Sequence, residues 1–344
     1  MQQFIPVQLT IRQFAYLAVA AAVLLEGCRK ENLSGDAVPL SFAAAFAGET
    51  RAPSAVQPDQ ADYLIAEGNR IGVFGTLTRA GEEESTVFEK QAVTCGSDLS
   101  WSYRPLKYWR KTGLYDFTAV FPYDSDCLAG TTGKRLLIRH SAAAKNVDIL
   151  VSRAQRDVSG GNTSPVDLTF HHACAAVRFL FRTSEHYDYR LYSFQLENLR
   201  VVGTLDTDDG IPSLDDWSTS GMAAAPVVWP WTASSEAGRI PIPSRYEDYT
   251  GGTWYYMIPQ SLAVSGNRPS VTFSVLFNGE PTPVHTTLAL PDSIEEGGVP
   301  TEARWEPGKV YTYYINLQPS RVSIDVHVTP WDSSVVAVAD IIFG

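Results

Sequence analysis

The chain has 344 residues, of which 44% are hydrophobic, 11% aromatic and 19% charged, with a net charge of −11. This apolar content excludes a disordered chain, and an acidic balance excludes an ordinary nucleic-acid binder, which meets phosphates with a basic stripe. The length suggests two domains, and 16 Tyr, 15 Phe and 8 Trp beside a sparse charged fraction favour β-structure.

The N-terminus reads as an export signal. Arg12 precedes an uncharged run from Phe14 to Leu25, too short to span a bilayer comfortably and suited to a signal-peptide core. It ends in Leu24-Leu25-Glu26-Gly27-Cys28, which resembles a bacterial lipobox. Residues 1–27 are therefore expected to be a lipoprotein signal peptide, Cys28 the lipidated (palmitate-bearing) first residue, and residues 28–37 a tether. An ordinary secretory signal ending near a cysteine is the other reading. A lipid chain anchors without a spanning helix. No aspartate follows at the second position after Cys28, which points to the outer membrane.

Period-2 alternation then recurs along the body. Val38, Leu40, Phe42, Ala44 and Phe46 share one strand face. Tyr115, Phe117, Ala119 and Phe121 share another, followed by Val147, Ile149 and Val151, by Val271, Phe273, Val275 and Phe277, and by Val322, Ile324, Val326 and Val328. No long amphipathic helix is convincing, so β-sandwiches are expected. The polar stretch Arg156–Pro165 gives a boundary near residue 160, with one domain at 38–160 and a second at 161–344. Beyond it the apolar phase changes between Val166, Leu168, Phe170 and Val177, Phe179, Phe181, which predicts a bulge or a change of sheet.

Catalytic and metal templates fail. The chain lacks Gly-x-Ser-x-Gly and His-Glu-x-x-His. Gly130–Arg135 is a poor phosphate loop and reads as a hairpin turn. His171 and His172 lie on opposite strand faces and do not chelate one ion; one is expected buried and hydrogen-bonded, the other exposed. Asp206–Gly210 lacks the ligand spacing of a calcium loop. Cys95, Cys127 and Cys174 admit at most one bridge and read as small buried hydrophobes. The expectation is no enzyme, no cofactor and no metal. Trp217, Trp229 and Trp231 lie in a turn-rich stretch, where they either stack on sugar rings or cover a sandwich end.

Several segments together resemble the fimbrillin family of Bacteroidales, the type V pilins. They are the lipobox, the strand Val38–Phe46 followed by Thr50-Arg51-Ala52, Ile71-Gly72-Val73-Phe74, Tyr108-Trp109 with Tyr115–Tyr123, Asp148–Ser152, Leu168–Ala173, Tyr255–Gln260, Trp305–Tyr311 and Val328–Trp331. The resemblance implies two transthyretin-like β-sandwich domains in tandem. It also implies a lipoprotein precursor carried to the outer membrane, where an Arg-specific protease removes the first strand, residues 38–50. Arg51 matches the cleavage position and Ala52 the new N-terminus. The groove then accepts a strand from another fimbrial subunit, of the same or a different kind, giving a surface fimbria (pilus) that serves cell adhesion to a host or bacterial glycan or protein.

The residues fit that scheme: the apolar comb would fill a groove, the polar segment after it is cuttable, and an added strand would restore backbone pairing and burial. The apolar C-terminal run Val335, Ala337, Ala339, Ile341 and Phe343 is either a donor strand or the last strand of its own domain. The alternative function is a monomeric surface lipoprotein that binds glycans through Trp217, Trp229 and Trp231.

Overall fold

The structure, a computed structural model, describes residues 38–47, 64–123, 128–132, 134–162, 164–183, 187–219, 223–244, 250–251, 254–277, 280–296, 299–318 and 321–331. The expected signal peptide and tether, Cys28, Arg51, Ala52, Cys127 and the run 335–343 lie outside them. Among the described residues the elements are strands and one 3-10 turn at Glu236–Gly238. The protein is all-β.

Among the described residues from Leu40 onward, four larger sheets are joined by two two-stranded ones, Gln260–Ser261 with Arg304–Trp305 and Ser293–Glu296 with Val299–Glu302. The largest runs, in order of pairing, Phe42–Phe46, Val166–His172, Leu150–Ser152, Leu114–Phe121, Arg70–Thr78, Ser85–Cys95 and Trp101–Ser102, with Gln155–Ser159 also on Leu114–Phe121. A second sheet runs Trp217–Ser218, Val202–Thr207, Arg135–Ser141, Leu128–Thr132. Phe74, Val120 and Val151 of the first sheet and Leu136, Ile138 and Leu205 of the second share one core.

The third sheet runs Thr250–Gly251, Ala175–Thr183, Lys309–Gln318, Arg321–Pro330, with Tyr255–Met257 also on Ala175–Thr183. The fourth runs Val228–Thr232, Tyr189–Glu197, Ser270–Phe277, Val284–Ala289, with Ile240–Ile242 on Tyr189–Glu197. Phe179, Phe181, Phe194, Phe273, Trp305 and Tyr313 belong to the core these two sheets share.

The phase change is a change of sheet. Val166–His172 ends in the largest sheet, and after a two-residue link Ala175–Thr183 opens the third. Ala173 and Cys174, both fully buried, carry the chain across. The expected boundary at residue 160 does not coincide with this crossing. Strand Gln155–Ser159 pairs with Leu114–Phe121, and the chain re-enters the second sheet at Val202–Thr207. Non-local pairing, which local composition does not encode, puts residues 166–172 and 202–218 with the N-terminal strands.

Strand Leu114–Phe121 departs from simple alternation because both of its faces are covered. Every residue from Tyr115 to Phe121 is buried. Its polar members are satisfied, as burial demands. Asp116 accepts from Lys134 at 2.7 Å and from the Asp157 backbone N–H at 2.9 Å, and Thr118 donates to the Ser152 carbonyl at 3.4 Å. The Leu128–Thr132 and Arg135–Ser141 strands pair as a hairpin around the rejected phosphate loop. Cys95 and Cys174 are buried, and burial pushes the Cys95 thiol pKa up.

Candidate assembly site: the first strand and its seat

Strand Phe42–Phe46 lies at one end of the largest sheet and pairs in parallel with Val166–His172, Phe42 beside Val166 and Phe46 beside Phe170. Backbone bonds extend the ladder at both ends, from Val166 N to Ser41 O at 2.8 Å and from Ala47 N to Phe170 O at 3.0 Å. Among the described residues no second strand pairs with it. Ahead of it, Leu40 N donates to Lys107 O at 2.9 Å, and the Tyr103 hydroxyl donates to Leu40 O at 2.9 Å. Burial of this hydroxyl raises the Tyr103 pKa.

The comb is inserted as its alternation requires. Leu40, Phe42 and Phe46 are 1%, 5% and 4% exposed, Ala44 is half-buried, and Ala43 and Ala45 face outward. Val38, which precedes the strand, is half-buried. Phe42 meets Phe88 at 5.6 Å and Phe117 at 5.8 Å, both edge-on, and Tyr103 at 6.0 Å. Such offset ring pairs add to the burial term. Phe46 stacks on the imidazole of His172 at 5.4 Å.

His172 is the buried member of the His pair; His171 is half-buried rather than exposed. The His172 Nδ1 lies 2.5 Å from an Asp148 carboxylate oxygen, with both side chains 2% exposed. The ring also stacks on Trp331 at 3.8 Å, which in turn stacks on Tyr256 at 5.7 Å. Sequence reading missed the roles of Asp148, Tyr103 and Trp331. Only the segments Asp148–Ser152 and Val328–Trp331 hinted at Asp148 and Trp331, and nothing in the sequence pattern marked Tyr103.

The three tryptophans part company. Trp217 is buried, and its indole N–H donates to the Ala173 carbonyl at 2.8 Å, so it is a core residue and not an exposed ring. Trp229 and Trp231 are half-buried and line a cavity of about 370 Å³ with Phe179, Phe194 and Tyr255. Two residues, Trp229 and Pro230, face the single Gln195 on the neighbouring strand. This bulge holds Trp229 at φ 47° and turns its ring to within 4.9 Å of Tyr255. Burial raises the Tyr255 pKa to about 12. Among the described residues no cluster of three potential metal ligands occurs, and no helix is long and apolar enough to cross a membrane.

The sequence profile of the fimbrillin-like family matches residues 50–331. The chain belongs to this family. No curated protein matches the fimbrillin-like chain. Among solved structures, it is similar to a fimbrial protein of Bacteroides vulgatus, with a TM-score of 0.58 at 13% identity, covering 86% of this chain and 99% of that one. Candidate cell adhesion proteins of Bacteroides uniformis and Bacteroides ovatus give TM-scores of 0.54 and 0.52 at 13% and 16% identity. Each match covers 86% of this chain, and 99% and 98% of theirs. At these identities the likeness is one of fold.

Proposed function

We propose that this fimbrillin-like chain is a non-catalytic structural subunit of a cell-surface fimbria, assembled by strand exchange and serving adhesion. The observation that carries the reading is the first strand. It is an end strand with one described neighbour, yet with Leu40 just ahead of it, it supplies three almost fully buried side chains to the core. At about 1.5–3 kcal/mol for each large apolar side chain, its loss would leave an apolar slot and an unpaired sheet edge. A strand from another subunit would close both.

In this reading Cys28 carries the lipid that brings the precursor to the outer membrane. An Arg-specific protease cuts between Arg51 and Ala52, and the run Val335, Ala337, Ala339, Ile341, Phe343 is a donor to a neighbouring subunit. The two pairs of facing sheets are taken as two transthyretin-like sandwiches.

Treatment of the full chain with an Arg-specific protease tests this. The expected result is a new N-terminus at Ala52 by mass spectrometry, followed by SDS-resistant ladders. A product cut at Arg51 that stays monomeric at high concentration would overturn assembly by strand exchange. Lipidated Cys28 in the membrane-extracted precursor checks the anchor.

A second reading is favoured by the cavity beside Trp229 and Trp231: binding of a surface glycan by stacking. Glycan-array binding lost in Trp229→Ala and Trp231→Ala, with Trp217 kept, would support it. Equal binding by all three proteins would refute it.

A further inference from the structure

The seat of the first strand is shaped in detail, and its walls are held by contacts of their own. The imidazole beneath Phe46 is fixed from elsewhere in the fold. Asp148 holds its Nδ1, Trp331 stacks on it within 7° of parallel, and Trp331 is itself tied by a 2.7 Å bond from its backbone N–H to Gly308 O. None of these contacts involves the first strand. Four residues before Phe46, Phe42 enters a separate pocket formed by Phe88, Tyr103 and Phe117. Phe88, Tyr103 and Phe117 also pack on one another, at 5.3 Å and 6.4 Å for the pairs involving Phe88. Between the two ring seats stands only Ala44. The seat therefore reads a ring, a small residue and a second ring at positions i, i+2 and i+4 of one strand face.

The chain's own C-terminal run does not carry that comb. After Trp331 its only aromatic residue is Phe343. With Phe343 placed over His172 in the direction of the first strand, Ala339 falls in the Phe42 pocket. With Phe343 in the Phe42 pocket and the run reversed, Ala339 takes the place of the ring over His172. Each alignment leaves one ring seat unfilled.

We propose that the seat selects its incoming strand by an aromatic–small–aromatic comb, with the His172 imidazole as the surface that requires the second ring, and that this strand comes from a different subunit rather than a second copy of this chain. The inference rests on the strand-exchange reading above and adds to it the chemistry of the partner.

Competition on the full chain after its cut at Arg51 tests it. Synthetic peptides displace a fluorescently labelled peptide of residues 38–47: the same sequence unlabelled, its Phe46→Leu, Phe46→Ala and Phe42→Ala forms, and residues 332–344. Phe46→Leu keeps the apolar area and removes the ring, so it should compete about 2- to 12-fold less well. Either alanine form should lose roughly a hundredfold or more, and the 332–344 peptide should be no better than these. In a His172→Gln chain, which keeps a hydrogen-bonding side chain beside Asp148, the preference for Phe over Leu at position 46 should shrink. Equal competition by the native and Phe46→Leu peptides on the unsubstituted chain, or competition by 332–344 as strong as the native sequence, overturns the proposal. Failure of the native peptide itself to enter refutes strand exchange, and the selection rule with it.

Discussion

Replacing Phe42 by alanine is the sharpest test of how the first strand belongs to the core. The ring is 5% exposed and touches three other aromatic rings at 5.6–6.0 Å. Truncation removes its transfer term and leaves a cavity whose walls are themselves fixed, since Phe117 also stacks on Tyr115 at 5.7 Å and packs edge-on to Trp109 at 6.0 Å. A buried Phe→Ala change costs about 3–5 kcal/mol. With a urea slope of about 1–3 kcal/mol per molar, the midpoint should fall by about 1 M or more. Trp109 lies in this aromatic cluster, so fluorescence-monitored urea unfolding of the full chain reads the transition that matters. The outward-facing Ala43→Ser serves as control and should stay within about 0.5 kcal/mol. A loss below about 1 kcal/mol for Phe42→Ala, or equal losses for the two variants, would refute the argument that the strand completes this core.

Three further outcomes are expected. Burial lowers the His140 pKa to about 4 from an ordinary 6.5. The unfolded chain therefore takes up a proton first as pH falls. The His140 contribution is intact above pH 6.5 and lost toward pH 4, by about 1.4 kcal/mol per pH unit over that window; His140→Gln should flatten this part of a pH–stability profile measured by urea titration. Trp217→Ala should cost about 3–5 kcal/mol in the same assay, because it empties a core position and strips the Ala173 carbonyl of its indole donor. Gly210 has φ +73°, and a Cβ there would stand 2.0 Å from the Ser152 carbonyl oxygen. Gly210→Ala should therefore destabilise by more than about 1 kcal/mol, where the same change at a compatible site would stabilise, read as a lower thermal midpoint.

Much of the site was legible in the residues. Alternation alone picked out Leu40, Phe42 and Phe46 as one buried face, because a strand with one face on a core must bury every second side chain. The change of phase between Phe170 and Val177 marked a bulge or a change of sheet for the same reason, and the structure makes it the second: a chain that leaves one sheet for another resets which side points inward. Adjacent histidines on a strand had to separate, and His172 went inside. The rest depended on distant partners. Nothing local tells Phe42–Phe46 to run parallel to a strand 120-odd residues later, nor tells Asp148 to find His172. Trp217 looked like a loop aromatic until a four-stranded sheet placed it in a core.

The sequence by itself determined the β class, the inward faces of its strands and the family pattern, since these follow from side-chain period and local turn chemistry. Only the tertiary structure decided that the chain passes from one pair of sheets to the other at Ala173–Cys174 and returns at Val202, and that Phe46 rests on an imidazole clamped by Asp148 and Trp331. Pairing across more than a hundred residues is settled by which edges and cavities are left to fill, and those exist only once the sheets have formed.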